Sequence, residues 1–144
     1  MSLTNVFQIA GSAMSAQTVR LNTTASNLAN AESVSSSVDE TYRARKPVFE
    51  LKAPTLEQMT DVDAGLLPGQ GVQVAGIVES DAPLRKEYNP NHPLADEGGY
   101  VHYPNVNVVE EMADMITASR SFQINAEVMN SAKQMVQRAL TLGQ

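Results

Sequence analysis

Residues 1–31 carry one charged side chain, Arg20, in a stretch with the spacing of a single long helix. Leu3, Phe7, Ala10, Met14, Gln17, Leu21, Thr24, Leu28 and Ala31 recur in alternating steps of four and three. That spacing keeps side chains on one side of a helix, and its 3.5-residue repeat lets two helices wrap around each other. The opposite side is Ser, Thr, Asn, Gln and Ala, where a helix facing water normally carries Lys and Glu. The pattern predicts a helix covered by other protein on most of its sides. It points to a subunit of an assembly rather than to an enzyme.

The rest of the composition agrees. Hydrophobic residues make up 42 % of the 144, aromatics 5 %, with seven Met and no Trp, which favours helix–helix packing over a thick core. The net charge of −6 argues against nucleic acid as a partner. Residues 32–104 hold 12 acidic and six basic side chains, so the middle of the chain is its solvated part. There is no Cys, hence neither a disulfide framework nor a thiolate metal site. No apolar run reaches the roughly 18 residues that suggest a membrane span. The N-terminus has no basic start and apolar core of a cleaved secretory signal, and too few Arg for a transit peptide.

The chain reads as helix, mixed middle, helix: an N-terminal helical segment over 1–34, an extended arm with a small antiparallel β module over 35–104, and a C-terminal helix over 105–144. This is a mainly α, α+β class. Glu32–Glu40, with its serine-rich run Ser33–Val38, is a loop, and Tyr42–Leu51 is extended, with Pro47 confining it to an edge. Residues 53–71 read as loop with one helical turn. Val72–Glu79 is the best strand, with Gly76 marking a bulge that shifts the phase to Ile77. Leu84–Tyr88 and Tyr100–Tyr103 are shorter strands, and together the strands predict a small antiparallel sheet or meander. Asn107 followed by Glu110 starts the last helix as a capping-box-like pair, and Gly143 stops it. One seam of that helix runs Val108, Met112, Met115, Ser119, Phe122, Ala126, Met129, Lys133, Val136 and Leu140; Val109, Ile116, Ile124, Val128, Met135 and Leu142 form a second.

Helices this narrow need partners. An antiparallel coiled-coil hairpin of the two ends sets Phe7, Met14, Leu21 and Leu28 against Met112, Met115, Phe122 and Met129, at about 1.5–3 kcal/mol per buried side chain. The second face of the last helix is then covered by further subunits, or by the middle module folding back.

Chemical motifs are weak throughout. His92 lies in a Pro/Asn turn and His102 on a strand, without ligand spacing between them. Asp61-Val62-Asp63-Ala64-Gly65 has its Gly one place early for a calcium loop, and Val72 stands where the closing Glu belongs. Gly69, Gly71 and Gly76 are not spaced for a dinucleotide. Asn22-Thr23-Thr24 is a glycosylation sequon inside the packed helix. No nucleophile has a base beside it, so no catalytic residue, metal or cofactor is expected.

Ser26-Asn27-Leu28-Ala29-Asn30-Ala31 at the end of the first helix resembles the N-terminal motif of bacterial flagellar rod and hook axial proteins. Ser119-Arg120-Ser121-Phe122-Gln123-Ile124-Asn125-Ala126, with Met129-Asn130 and Met135, resembles their C-terminal motif, Phe122 standing where Tyr is commoner. Tyr42–Phe49, Gly71–Glu79 and Tyr103–Met112 resemble the family's proximal rod members, while residues 50–70 match least.

The resemblance implies a structural subunit of the flagellar basal-body rod, in the periplasmic part of a drive shaft that transmits torque to the hook. It implies export through the flagellar type III apparatus without a cleaved signal. The implied partners are further copies, related rod proteins, and the rod-base and MS-ring-side proteins.

Leu3, Phe7, Met14, Leu21 and Leu28 are then expected to pack within and between subunits, with Met112, Met115, Ile116, Phe122, Asn125, Met129, Val136 and Leu140 opposite. Gly11, Ala13, Ala25 and Ala29 permit close approach. Asn27 and Asn30 bond backbone at the helix end or are simply solvated, and Arg120 pairs with a neighbour's carboxylate. Tyr42, Arg43, Arg45 and Lys46 form either a basic intersubunit arm or a solvated loop. The alternative class is another type III-exported helical hairpin, such as a needle-type subunit or a translocated substrate.

Overall fold

The computed structural model describes residues 3–52 and 71–142. The expected loop and helical turn over 53–70, including Asp61–Gly65 and Gly69, lie outside the described residues, as does the Gly143 stop. Six elements follow in order: α1 (Leu3–Ala29), β1 (Arg45–Leu51), β2 (Val72–Glu79), β3 (Arg85–Tyr88), β4 (Tyr100–Tyr103) and α2 (Val108–Leu142). The class is α+β. The two long helices pack on each other, and α1 also packs against β1 and β2.

A helix backed by Ser and Thr must satisfy their hydroxyls, and α1 does so on its own carbonyls. Ser12 Oγ donates to Ile9 O at 2.8 Å, Thr18 Oγ1 to Met14 O at 2.9 Å and Thr23 Oγ1 to Val19 O at 2.9 Å. Such back-bonding satisfies each of these hydroxyls within the helix. Burial marks two sides of α1: Ala10 and Thr24 follow the predicted seam, as does Ala31 just past the helix, while Ala16, Thr23 and Asn27 are buried off it.

On α2 the inward residues alternate by three and four: Val108, Glu111, Met115, Ala118, Phe122, Asn125, Met129, Ala132 and Val136 are buried or half-buried. This corrects the predicted seam. Met115, Phe122, Met129 and Val136 lie inward as read, but Met112 and Lys133 are exposed, and Glu111, Ala118 and Ala132 hold the intervening places. Small residues there let the backbones approach, and Met112 would hold them apart. The buried apolar residues of the described chain are Ala10, Ala16, Ala31, Ala44, Val101, Ala118 and Ala132. A core of alanines encloses little apolar area, so the larger side chains stay at or near the surface.

Asn107 caps α2, its Oδ1 accepting from Val109 N at 3.2 Å. Glu110 does not complete the box; its carboxylate takes Lys46 Nζ at 3.1 Å.

The strands do not make the single sheet or meander predicted. β1–β2 and β3–β4 are two separate antiparallel pairs. The link between them, Ser80–Leu84, has its carbonyls taken elsewhere: Asn105 Nδ2 donates to Ser80 O at 3.2 Å and to Ala82 O at 2.9 Å. Along β2 the pairing passes from Val48↔Gly76 to Phe49↔Val74. Ala75 is therefore the extra residue of a bulge beside Gly76.

Gly71 immediately precedes β2 at φ 93°, and a Cβ there would collide with Ser12 Oγ. That hydroxyl accepts from Val72 N at 3.1 Å, tying the strand to α1. Gly71→Ala combines backbone strain with this collision, and urea denaturation is expected to show a loss of about 1–3 kcal/mol.

Candidate assembly interface

Where α1 ends, Asn27 is only 1 % exposed. Its side chain behaves as a strand neighbour for one residue of β1. Nδ2 donates to Arg45 O at 2.8 Å, and Oδ1 accepts from Arg45 N at 2.9 Å. The same Oδ1 accepts the Tyr42 hydroxyl at 2.9 Å. Asn30 closes the helix itself, its Nδ2 donating to Ser26 O at 2.8 Å.

One residue earlier in the arm, Ala44 N donates to Asn105 Oδ1 at 2.8 Å, while Ala44 O accepts from Ser80 N at 2.8 Å. Two asparagines thus clasp residues 44 and 45 between the end of α1 and the approach to α2. Burying polar backbone is tolerable only with such complete pairing. Asn105, which sequence reasoning missed, left one signal: an amide just past the Pro104 that ends β4.

The arm cations all find partners within the chain. Arg45 pairs with Glu79 at 3.0 Å and Lys46 with Glu110 at 3.1 Å. Arg43 Nη1 donates to Ser80 O at 3.2 Å. The hydrogen bond to Glu110 raises the Lys46 pKa, with the charges of Glu110, Glu111 and Asp114 adding to it.

His102 is buried on β4 and bridges Ser35 by two 3.1 Å backbone bonds. Its Nε2 lies 3.7 Å from Asp96 Oδ2. Asp96 is held below the usual carboxylate range, first by the Tyr100 N–H and then by that of Gly98 and by His102. No group of His, Asp and Glu suited to a metal occurs among the described residues.

Several large apolar side chains are exposed. Val109 is 77 % and Ile116 54 % exposed, joined by Met112, Ile124, Val128, Met135 and Leu140 on the same helix. Val48, Leu51, Ile77 and Val78 are exposed on β1 and β2. Of the expected packing residues, Phe7, Met14, Leu21 and Leu28 on α1 and Met115, Phe122, Asn125, Met129 and Val136 on α2 are half-buried; Met112, Ile116, Arg120 and Leu140 face out. Gly11 has open space where a side chain would stand, and Leu3 opens α1. Exposed apolar patches mark interaction sites.

A two-helix backbone with an alanine core, a polar clasp and apolar outer faces defines a structural subunit with surfaces left for neighbours. Two family models match: residues 7–34 fit one described as flagella basal body rod protein, and 97–142 one described as flagellar basal body rod FlgEFG protein C-terminal. The chain is 50 % identical to the flagellar basal-body rod protein FlgC of Salmonella typhimurium, covering 100 % of both chains. It is 49 % identical to that of Escherichia coli O6:H1, again over 100 % of both. The Borreliella burgdorferi protein of the same name is 36 % identical over 99 % of this chain and 98 % of its own length. The chain belongs to the FlgC family of flagellar basal-body rod proteins and is a structural subunit of the basal-body rod. Rod subunits assemble with other rod proteins, and no helix of the described residues is long and apolar enough to cross a membrane.

Proposed function

We propose that this chain polymerises with further copies and related axial proteins into the proximal, periplasmic part of the rod. It transmits torque there through packed helices, without catalysis. The observation that carries this is the row of exposed apolar residues on α2, Val109, Met112, Ile116 and beyond, on a helix whose opposite side already meets α1. Such residues in water forgo about 25 cal/mol per Å² that burial would recover. In the same reading α1 and α2 pair as an antiparallel coiled coil, and small residues such as Gly11 and Ala25 admit neighbouring backbones. The domain limits at 34 and 104 then separate axial helices from an outward module. The chain leaves the cytoplasm through the flagellar export apparatus with its N-terminus intact and docks on rod-base and MS-ring-side proteins.

Mass spectrometry of purified basal bodies tests this. The subunit is expected there with its N-terminal segment present, in a strain whose motility depends on it. A chain confined to the cytoplasm, or shortened at its N-terminus, contradicts the reading.

A further inference from the structure

Both helices repeat their large inward residues every seven positions. On α1 these are Phe7, Met14, Leu21 and Leu28; on α2 they are Met115, Phe122, Met129 and Val136. Two stripes of equal period are degenerate. Sliding one helix by seven residues, about 10 Å at 1.5 Å per residue, sets large against small in the same way again. Apolar packing therefore leaves the alignment of the pair open.

Two charges break the repeat. Arg20 is the sole charged residue of positions 1–31. Glu111, 4 % exposed, is the only Asp, Glu, Lys or Arg buried among the described residues. Both line one cavity of about 160 Å³, together with Thr24, Lys46 and Asp114. Arg20 is steadied there by the Phe49 ring, its Cζ 5.2 Å from the centroid. The Glu111 carboxylate makes no hydrogen bond or ion pair among the described residues, and Arg20, Arg45 and Lys46 are the cations that line its cavity. An enclosed charge is tolerable beside opposite charge and heavily penalised away from it.

We propose that Arg20 and Glu111 form the register key of the helix pair. In the observed alignment Thr24 and Glu111 share the cavity. A slip of one heptad either way brings Gln17 or Ala31 level with Glu111 instead, and carries Arg20 about 10 Å off. Glu111 then loses Arg20 from its cavity and faces a neutral residue in place of a cation, and the slipped states are disfavoured. The key adds specificity rather than stability, as single polar layers do in coiled coils. It rests on the antiparallel pairing proposed above and is independent of polymerisation.

The chain has no Cys, so nitroxide labels at Thr18→Cys and Thr117→Cys on exposed helix positions report the alignment by pulsed electron paramagnetic resonance. The otherwise unaltered chain is expected to give one short distance. Glu111→Leu is expected to add a second, longer population from a shift of about 10 Å along the axis, with a denaturation midpoint equal or higher. Exchanging the charges, Arg20→Glu with Glu111→Arg, is expected to restore the single distance. A Glu111→Leu chain that keeps one distance, or an exchanged chain that stays doubled, overturns the key, leaving the asparagine clasp to set the alignment. A chain that lacks the short distance before any change at Glu111 overturns the antiparallel pairing itself.

Discussion

Asn27→Ala is expected to lower folding stability by about 3 kcal/mol, the largest loss from any single truncation at the clasp. The change removes few atoms and opens little space. What it does is leave the Arg45 N–H and the Arg45 carbonyl without their partner, and the Tyr42 hydroxyl with only Ser26 Oγ at 3.3 Å. A buried group stripped of its hydrogen bond costs about 1–3 kcal/mol, because water cannot replace it. Asn27→Asp should be no milder: the carboxylate still accepts from Arg45 N and Tyr42, but it faces the Arg45 carbonyl with no proton to give. Asn22→Ala, on the exposed side of the same helix, serves as control and is expected to stay within about 0.5 kcal/mol. Urea denaturation of the three variants decides the matter. An Asn27→Ala chain as stable as the control would mean that residues 42–45 are held by something other than this amide.

Ile116→Asp is expected to abolish motility while leaving the stability of the free chain within about 0.5 kcal/mol of the parent. Ile116 sits 54 % exposed on α2, so an aspartate there meets water in the isolated subunit and disturbs no internal packing. Inside a polymer the same carboxylate would enter an apolar contact, where burying an unpaired charge costs several kcal/mol per subunit interface. The effect repeats at every copy. Swimming in soft agar and counts of intact rods by electron microscopy provide the readout, with Gln123→Asp, another exposed position of α2, for comparison. Motile cells with complete rods would show that this part of α2 faces no neighbour. Val109→Asp tests the exposed apolar surface seven residues earlier on the same terms.

The sequence revealed much of this architecture because helix periodicity and terminal motifs are local properties. Both long helices, the strand at Val72–Glu79 and the bulge by Gly76 were legible from spacing and glycine placement. The rotation of α2 was not. Reading Met112 as inward followed the rule that large apolar residues seek the core, whereas close helix contact selected the smaller Ala118 and Ala132 and enclosed Glu111. A charged residue among alanines looks like solvent-facing punctuation until the neighbouring cations of Arg20 and Lys46 are placed around it. The clasp was half legible. Asn27 was read as a helix-end bond to backbone, but its target, Arg45, lies 18 residues away, and no local rule identifies it. The separation into two strand pairs depends on Asn105 capturing the carbonyls of Ser80 and Ala82 across more than 20 residues, which alternation patterns do not register.

The apolar outer side of α2 is expected to be bare in the free subunit and covered in the rod. Because the chain lacks cysteine, Ile116→Cys gives a single reporter, and its rate of maleimide labelling can be compared between the purified chain and intact basal bodies. Rapid labelling of the free chain and strong protection in the assembled rod are expected, the protection lost again when the rod is dissociated. Equal labelling in both states would contradict that expectation.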